Sequence, residues 1–184
     1  MRRLVALLGM AFFCAPVVAD EIDVGLNADA FRAIYMHEFR SNALQLDGGW
    51  MYHSDNGSVV HVGLNLSDVA SNSKDLVAGL GARLAYQDGE ASGQSGFAVP
   101  LGGFLYFTPQ KYNRITFGVA AYFAPDVLSM GDSTKYQDYT LRLAYNVMRQ
   151  ADIYVGARYV KGEYKNAPDV YYDTGMNIGF TLKF

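Results

Sequence analysis

The sequence contains a single cysteine, Cys14, and it lies in a segment that we expect to be removed. Residues 1–19 have the form of a secretory signal peptide, with a basic start, an apolar run and small residues before Asp20. Lipidation of Cys14 is disfavoured, because two phenylalanines precede it where a lipidation motif requires small residues. The predicted mature domain, residues 20–184, then has no thiol. This excludes disulfides, thiolate catalysis and cysteine-ligated zinc.

The sequence also lacks long apolar runs and clusters of basic residues. Beyond the signal, no stretch approaches the length of apolar sequence that a membrane-spanning helix needs. Lys and Arg number 15 against 18 Asp and Glu, and their dispersal leaves no footprint for nucleic acid. Three scattered histidines, His37, His53 and His61, do not have the spacing of a metal site. We therefore expect no nucleic acid, no metal and no cofactor.

What the sequence does have is aromatic residues, glycine and an apolar period of two. There are 14 Tyr, 11 Phe and 19 Gly, and only 18% of the residues are charged. Along residues 172–184, one face is apolar and the other is polar or glycine, over the length of a tilted membrane strand. We place on the apolar face Tyr172, Thr174, Met176, Ile178, Phe180, Leu182 and Phe184.

The same alternation recurs upstream and predicts the number of strands. It is clear at residues 44–52, 60–66, 75–86, 115–123, 139–147 and 153–160, and weaker at 21–27 and 30–39. Residues 97–107 are apolar on both faces and contain Pro100, so they predict a strand without a definite register. Bacterial single-chain barrels have an even number of strands, both termini in the periplasm and longer outer loops. Parity favours ten strands. Eight strands after a periplasmic N-terminal segment is the alternative. The long connections at 87–95, 124–135 and 162–169 would then face outward.

One hairpin gives an independent check on the phase of the strands. Trp50 and Tyr52 must share a face with Val60, so the numbers of paired residues must sum to an even value. We predict that a three-residue loop, with Gly57 at positive φ, pairs Ser54 with Ser58.

Closure of the sheet follows from the membrane environment. In hydrocarbon every backbone N–H and C=O must be paired, and only a closed barrel has no edges. An aqueous barrel would turn its apolar face inward, and the period alone does not separate the two. Strand length and aromatic residues near strand ends favour the membrane. We therefore predict an all-β protein, a closed antiparallel transmembrane β-barrel in the bacterial outer membrane, exported by its signal peptide.

Three segments of this sequence carry a resemblance to a known family. They are AYFAPDVLS at residues 121–129, YQDY at 136–139 and IYVGARY at 153–159. Together they resemble the YfaZ family of small outer-membrane proteins, across the whole mature chain. Membership implies a barrel with no assigned enzymatic role. The final aromatic and the apolar residues that alternate before it also resemble the signal read by the barrel-assembly machinery; these are Tyr172, Ile178, Phe180, Leu182 and Phe184.

The predicted phases place charged side chains inside the barrel. They are Asp47, Arg83, Asp138, Arg142, Arg158, Asp173 and Lys183, with Asp75 in addition. Small barrels are filled by their side chains, and buried charges must be paired. This favours a salt-bridge core that closes the lumen. A narrow water-filled channel for ions or small solutes, whose selectivity these charges set, is the alternative.

Catalysis has little support in the sequence. His53, Ser54 and Asp55 resemble a triad, but adjacent strand residues point to opposite faces. We therefore expect an integral outer-membrane protein of structural or uncharacterised role without catalytic activity, surrounded by outer-membrane lipid and lipopolysaccharide. A lipid A- or phospholipid-modifying enzyme would need His53 or His61. A surface adhesin would use the polar outer loops.

Overall fold

The computed structural model describes residues 20–39, 43–69, 75–90 and 93–184, so the predicted signal peptide lies outside the described residues. The strands are β1 (Asp20–Leu26), β2 (Ala30–Phe39), β3 (Leu44–His53), β4 (Gly57–Val69), β5 (Leu76–Gly89), β6 (Gln94–Ala98), β7 (Leu101–Phe107), β8 (Ile115–Ala124), β9 (Ser129–Gly131), β10 (Ser133–Met148), β11 (Ala151–Tyr164) and β12 (Val170–Lys183). Short 3-10 helices cover Gln110–Tyr112 and Asp126–Leu128. Within the described ranges, no helix has the length and apolar character to cross a membrane.

Antiparallel pairing runs around a closed ring. Each wall strand pairs with its sequence neighbours, and β1 pairs with β12 to close the barrel. At that seam the backbone N–H groups of Asp20 and Phe184 donate to each other's carbonyl oxygens at 3.0 and 2.9 Å. The ring satisfies the backbone groups that an open edge would leave unpaired in lipid.

The wall of the barrel has ten strands, as predicted. Strands β6 and β7 both pair with β5 and form two halves of one wall strand, interrupted at Val99 and Pro100. The interruption follows from proline, which has no N–H to donate to a ladder. The short β9 belongs to the connection between β8 and β10. The eight-stranded alternative is wrong, because β1 and β2 are part of the ring.

The two faces of the wall have opposite character. Outward-facing Leu80 is 75% exposed and Leu66 63% exposed, whereas inward-facing Asp47 is 2% exposed. An aqueous barrel would show the reverse. Apolar residues outside and polar residues inside are the arrangement of a membrane barrel.

The two ends of the barrel also differ. The end of the barrel that carries the connections after β1, β3, β5, β8 and β11 is called the loop end. The opposite end, which carries Asp20 and Phe184, is called the terminal end. The three connections predicted to be long all lie at the loop end. They are shorter than predicted, because three strands are longer than predicted at this end. Strand β5 continues to Gly89, β10 begins at Ser133 and β11 continues to Tyr164.

The hairpin between β3 and β4 has the predicted shared face but not the predicted register. Trp50 pairs with Val60, but His53 pairs with Gly57, and Ser54 lies in the turn. The pairing of Ser54 with Ser58 is therefore wrong. Ser54 leaves the strand because the turn closes earlier, where the Asp55 N–H donates to His53 Nδ1 at 3.1 Å. Gly57 has φ 105°, as expected for the residue that allows the turn.

Strand β12 changes phase near its loop end. The ladder with β11 shifts register between Val160 and Lys161: Val160 pairs with Asp173 and Lys161 pairs with Tyr171, so Tyr172 is the extra residue. A bulge of this kind exchanges the faces of all residues beyond it. Tyr172 is therefore fully buried and Tyr171 is exposed, so the predicted outward position of Tyr172 is wrong. From Met176 to Phe184 the predicted apolar face does point outward.

Candidate functional site in the barrel lumen

The centre of the lumen is crossed by ion pairs between strands that are far apart in sequence. Asp138 on β10 is buried and lies between two arginines. Arg32 of β2 places Nη2 3.2 Å from Asp138 Oδ2, and Arg83 of β5 places Nη1 3.5 Å from the same oxygen. One carboxylate therefore joins three strands of the wall.

A second carboxylate, Asp47, extends this cluster. Its Oδ2 lies 3.1 Å from Arg83 Nε and 3.1 Å from His61 Nε2. The angles of these two contacts are not those of hydrogen bonds. Its Oδ1 accepts a hydrogen bond of 2.6 Å from Asn65, whose own oxygen accepts one of 2.7 Å from the Tyr122 hydroxyl. The Arg83 guanidinium lies 3.7 Å from the centre of the Tyr122 ring. Arg83 is thus held by two carboxylates and an aromatic face.

A third pair joins neighbouring strands next to the centre. Arg158 Nη1 of β11 donates to Asp173 Oδ2 of β12 at 2.6 Å, and both residues are buried. The Asn27 amide donates to the other oxygen of Asp173 at 2.5 Å. Arg158 Nε has no hydrogen-bond partner in the described part of the chain.

The fourth pair lies nearer the terminal end. Arg142 Nη1 donates to Asp23 Oδ2 at 2.8 Å and its Nη2 to the Tyr106 hydroxyl at 2.9 Å. Tyr154 and Thr181 also donate to the Asp23 carboxylate, at 3.0 and 2.8 Å. Asp23 therefore has three side-chain donors, which offset the cost of burying its charge.

The structure brings together most of the residues predicted from the sequence. It places in one lumen network Asp47, Arg83, Asp138, Arg142, Arg158 and Asp173. Lys183 lies apart at the terminal end, where its half-exposed ammonium contacts Asp152 at 2.6 Å. Asp23, Arg32 and His61 also belong to this network, although they were not among the charges predicted to form it. The period of two places each of them on the inward face, so the sequence predicts the direction of their side chains. It does not predict which residues they pair with, because the partners lie on other strands.

Above this network, toward the loop end, the lumen is filled mainly by apolar side chains. We call loop-end plug the buried cluster of Met51, Val59, Ala85, Ala98, Ala124, Tyr136, Val160, Tyr164, Val170 and Tyr172. Leu128 and Ala167, from the connections at this end, pack against it. The hydroxyls of Tyr164 and Tyr172 are hydrogen-bonded to each other, and Gln87 donates to Ser133 at 3.1 Å within the same region. The plug has the composition of a soluble protein core.

A small cavity lies beside the network, on the side of the terminal end. It has a volume of about 50 Å³ and is lined by Arg32, Arg142 and Arg158, together with Asp23, Tyr106 and Tyr154. This volume holds a few water molecules at most. Around this cavity, side chains fill the interior that a larger barrel would leave open.

The histidines occupy structural positions. His53 Nδ1 accepts the turn hydrogen bond from Asp55, His61 is buried beside Asp47, and His37 Nδ1 lies 2.6 Å from Asp20 Oδ1. In the described ranges, the polar partners of the three histidines are aspartate, asparagine and a backbone N–H, and no group of three residues is arranged to hold a metal ion.

A closed ten-stranded wall with an apolar exterior and a polar, filled interior defines the class of small outer-membrane β-barrel proteins. Among solved structures, the chain is similar to the NanC porin, with a TM-score of 0.54 and 12% identity over 91% of this chain and 100% of that chain. Two further similarities are to the KdgM porin (TM-score 0.48, 12% identity, 91% and 99% covered) and to the outer membrane channel DcaP of Acinetobacter baumannii (0.44, 13%, 88% and 54%). At this identity the likeness to the NanC porin shows a shared fold.

The sequence as a whole identifies the family. It matches the family described as YfaZ precursor over residues 1–184, and the chain belongs to that family. The resemblance found in the sequence is thereby confirmed. No curated protein matches the chain.

Proposed function

We propose that this protein is an integral barrel of the bacterial outer membrane with a closed, non-conducting lumen and a structural role without catalysis. The observation that carries the proposal is the filling of the lumen at two successive levels. The loop-end plug is apolar, and the Arg–Asp network below it pairs its charges across the barrel. The likeness of the fold to porins and the family's description as a precursor support the outer-membrane location.

Conduction would require both levels to change. An ion needs polar groups that replace its hydration shell along the whole path, and the plug offers mainly apolar side chains. The arginines of the network are already bound to carboxylates, so a passing anion would compete with Asp138 or Asp173 for them. Breaking a buried ion pair costs several kcal/mol, roughly 3–5. We therefore expect the closed state to be stable across ordinary membrane voltages.

A second candidate, a narrow channel that opens when the plug moves, has one observation in its favour. Below the plug the lumen is polar and contains the cavity beside Arg32, Arg142 and Arg158. Removal of the plug alone would then suffice to connect this region with the loop end. The enzyme and adhesin alternatives have no comparable observation.

Ion flux from liposomes that contain the purified protein tests the proposal. The wild-type protein should release no ions above protein-free liposomes, and Tyr164→Ala/Tyr172→Ala tests whether the plug is the barrier. Leu80→Ala, on the lipid face, is the matched control. Folding of each variant is checked by its change of mobility in SDS gels on boiling. Flux through the wild-type barrel would contradict the closed lumen. Flux only through the plug variant would contradict closure at the network and support the second candidate, and no flux through either protein supports closure at both levels.

A further inference from the structure

The small cavity beside the Arg–Asp network has more positive than negative groups in its lining. Its charged lining residues are Arg32, Arg142, Arg158 and Asp23, and we call it the arginine cavity. Asp138 and Asp173, which pair with Arg32 and Arg158, are not part of the lining. Two ion pairs therefore present their positive ends to the cavity. In a buried site the field of these cations is only weakly screened.

The side-chain acceptors around the arginine cavity are largely used by the network itself. Asp23, the one carboxylate of the lining, already accepts hydrogen bonds from three side chains. The Tyr106 hydroxyl accepts a hydrogen bond from Arg142, and the Thr140 hydroxyl accepts one from Arg32. The backbone of the neighbouring wall strands is paired in the ladders. The cavity therefore has little to offer to a group that donates hydrogen bonds.

Donors, in contrast, remain available at the arginine cavity. Arg158 is 5% exposed, and its Nε has no hydrogen-bond partner in the part of the chain that the structure describes. The Tyr106 hydroxyl accepts its hydrogen bond from Arg142 and keeps its own proton for another acceptor. A buried donor that lacks an acceptor destabilises the folded state. Both residues line the cavity, so an acceptor placed there would complete their hydrogen bonds.

We propose that the arginine cavity binds one small inorganic anion of about the size of chloride, held by the Arg158 Nε–H and the Tyr106 hydroxyl. An anion only accepts hydrogen bonds, which matches the donors that the network leaves over. A water molecule would also have to donate two hydrogen bonds, for which the lining has few free acceptors. The volume of about 50 Å³ accommodates a monatomic ion and excludes a sugar or a lipid headgroup.

The bound anion goes beyond the proposed function, because it is a fixed part of the lumen network and not a solute in transit. Neither donor has to leave a carboxylate to hold it, since Arg158 pairs with Asp173 through Nη1 and not through Nε. A ligand that binds only the folded barrel stabilises it in proportion to the occupancy of the site. We therefore expect small anions to stabilise this barrel.

Urea unfolding in liposomes, with bromide as the probe, tests the site. Sodium bromide replaces sodium gluconate on both sides of the membrane at constant total salt, so the screening of charges stays the same. Gluconate is too large for the cavity. The urea midpoint of the wild-type protein should rise with bromide concentration and reach a plateau when the site is filled.

Two neighbouring alanines of β8 provide a variant and its matched control. Ala120 lines the arginine cavity, and Ala121 is exposed on the lipid face. Ala120→Val fills the cavity without removing a charge and should abolish the bromide dependence, whereas Ala121→Val should respond as the wild type does. The mobility change in SDS gels on boiling checks that both variants fold.

Arg158→Lys tests the donor and keeps the proposal falsifiable if Ala120→Val does not fold. Lysine retains a cation for Asp173 but has no Nε–H. It should shift the bromide concentration of half-saturation upward about tenfold, because a hydrogen bond to a charged group is lost. Anomalous scattering from wild-type crystals grown in bromide locates the ion, and the peak should lie between Arg158 and Tyr106.

Three results would overturn the proposal: a wild-type midpoint that does not depend on bromide, a folded Ala120→Val variant that responds to bromide as the wild type does, or an anomalous signal only outside the cavity. The flux experiment tests the proposed function separately. Ion flux through a wild-type barrel that binds bromide in the arginine cavity would overturn the closed lumen and leave the anion site standing.

Discussion

At the scale of single residues, the stability of this barrel depends on charges that are buried and paired across the lumen. Asp138 contacts arginines from two strands and is 4% exposed, so bulk solvent does not screen these contacts. Lys135 and Glu163 form an ion pair of similar length, 2.9 Å, but their side chains are partly exposed at the loop end. Two ion pairs of similar length therefore differ in how much their loss destabilises the barrel, because one pair is buried and the other is partly exposed.

Asp138→Asn should destabilise the barrel by about 3 kcal/mol or more, because it leaves Arg32 and Arg83 buried with one carboxylate fewer. Lys135→Gln should cost about 1 kcal/mol or less. Urea unfolding in liposomes measures both, followed by the fluorescence of Trp50, the only tryptophan. Equal effects of the two substitutions would contradict the assignment of Asp138 to the centre of the network.

A second residue-scale prediction concerns Gly175. Its φ of 118° is disfavoured for other residues, and an added Cβ would meet no atom within 4 Å. Gly175→Ala should therefore cost about 1–3 kcal/mol from backbone strain alone. In Gly48→Ala, the control, the new Cβ would lie 3.9 Å from the His61 carbonyl oxygen. The same unfolding measurement applies. A neutral Gly175→Ala would contradict the positive φ of this residue.

At the scale of elements, alternation predicted the strands well and their irregularities poorly. The period of two indicates which residues face lipid. Every strand of the wall has lipid on one side, so the same pattern is present in each strand. It predicted the inward direction of residues such as Arg83 and Asp138 and, together with the rule that such barrels have an even number of strands, it predicted ten strands. The bulge in β12 depends on pairing with β11 and on the packing of Tyr172 against Tyr164, which the order of residues in one strand does not contain. The partners of the inward charges lie on strands distant in sequence, so the ion pairs could not be predicted from the sequence either.

Strand β12 also gives a prediction about assembly. Removal of Phe184 should reduce the amount of folded barrel in the outer membrane while export to the periplasm continues. The physical reason is that Phe184 exchanges backbone hydrogen bonds with Asp20 at the closing seam and exposes its ring to lipid. Tyr172→Phe, at an inward position, should assemble normally. Fractionation with SDS gels before and after boiling gives the amounts. Normal assembly without Phe184 would contradict the role proposed for this residue.

At the scale of the whole molecule, the central claim is a ten-stranded ring that β1 and β12 close around a filled lumen. The network depends on this closure, because β1 supplies Asp23 and β2 supplies Arg32. In an eight-stranded barrel both strands would lie outside the wall, and Arg142 and Asp138 would lose these partners. The ion pairs that fill the lumen therefore require a wall of ten strands.

A disulfide across the seam tests this ten-stranded wall most directly. Ile22 pairs with Leu182, and opposite residues of antiparallel strands have Cα atoms about 5 Å apart, within the range for a disulfide. Oxidised Ile22→Cys/Leu182→Cys should form an intramolecular disulfide, detected by mass, in the folded barrel. Leu46→Cys/Leu182→Cys, which joins β3 to β12, should remain reduced. A disulfide in the second variant and none in the first would contradict the ten-stranded closed barrel.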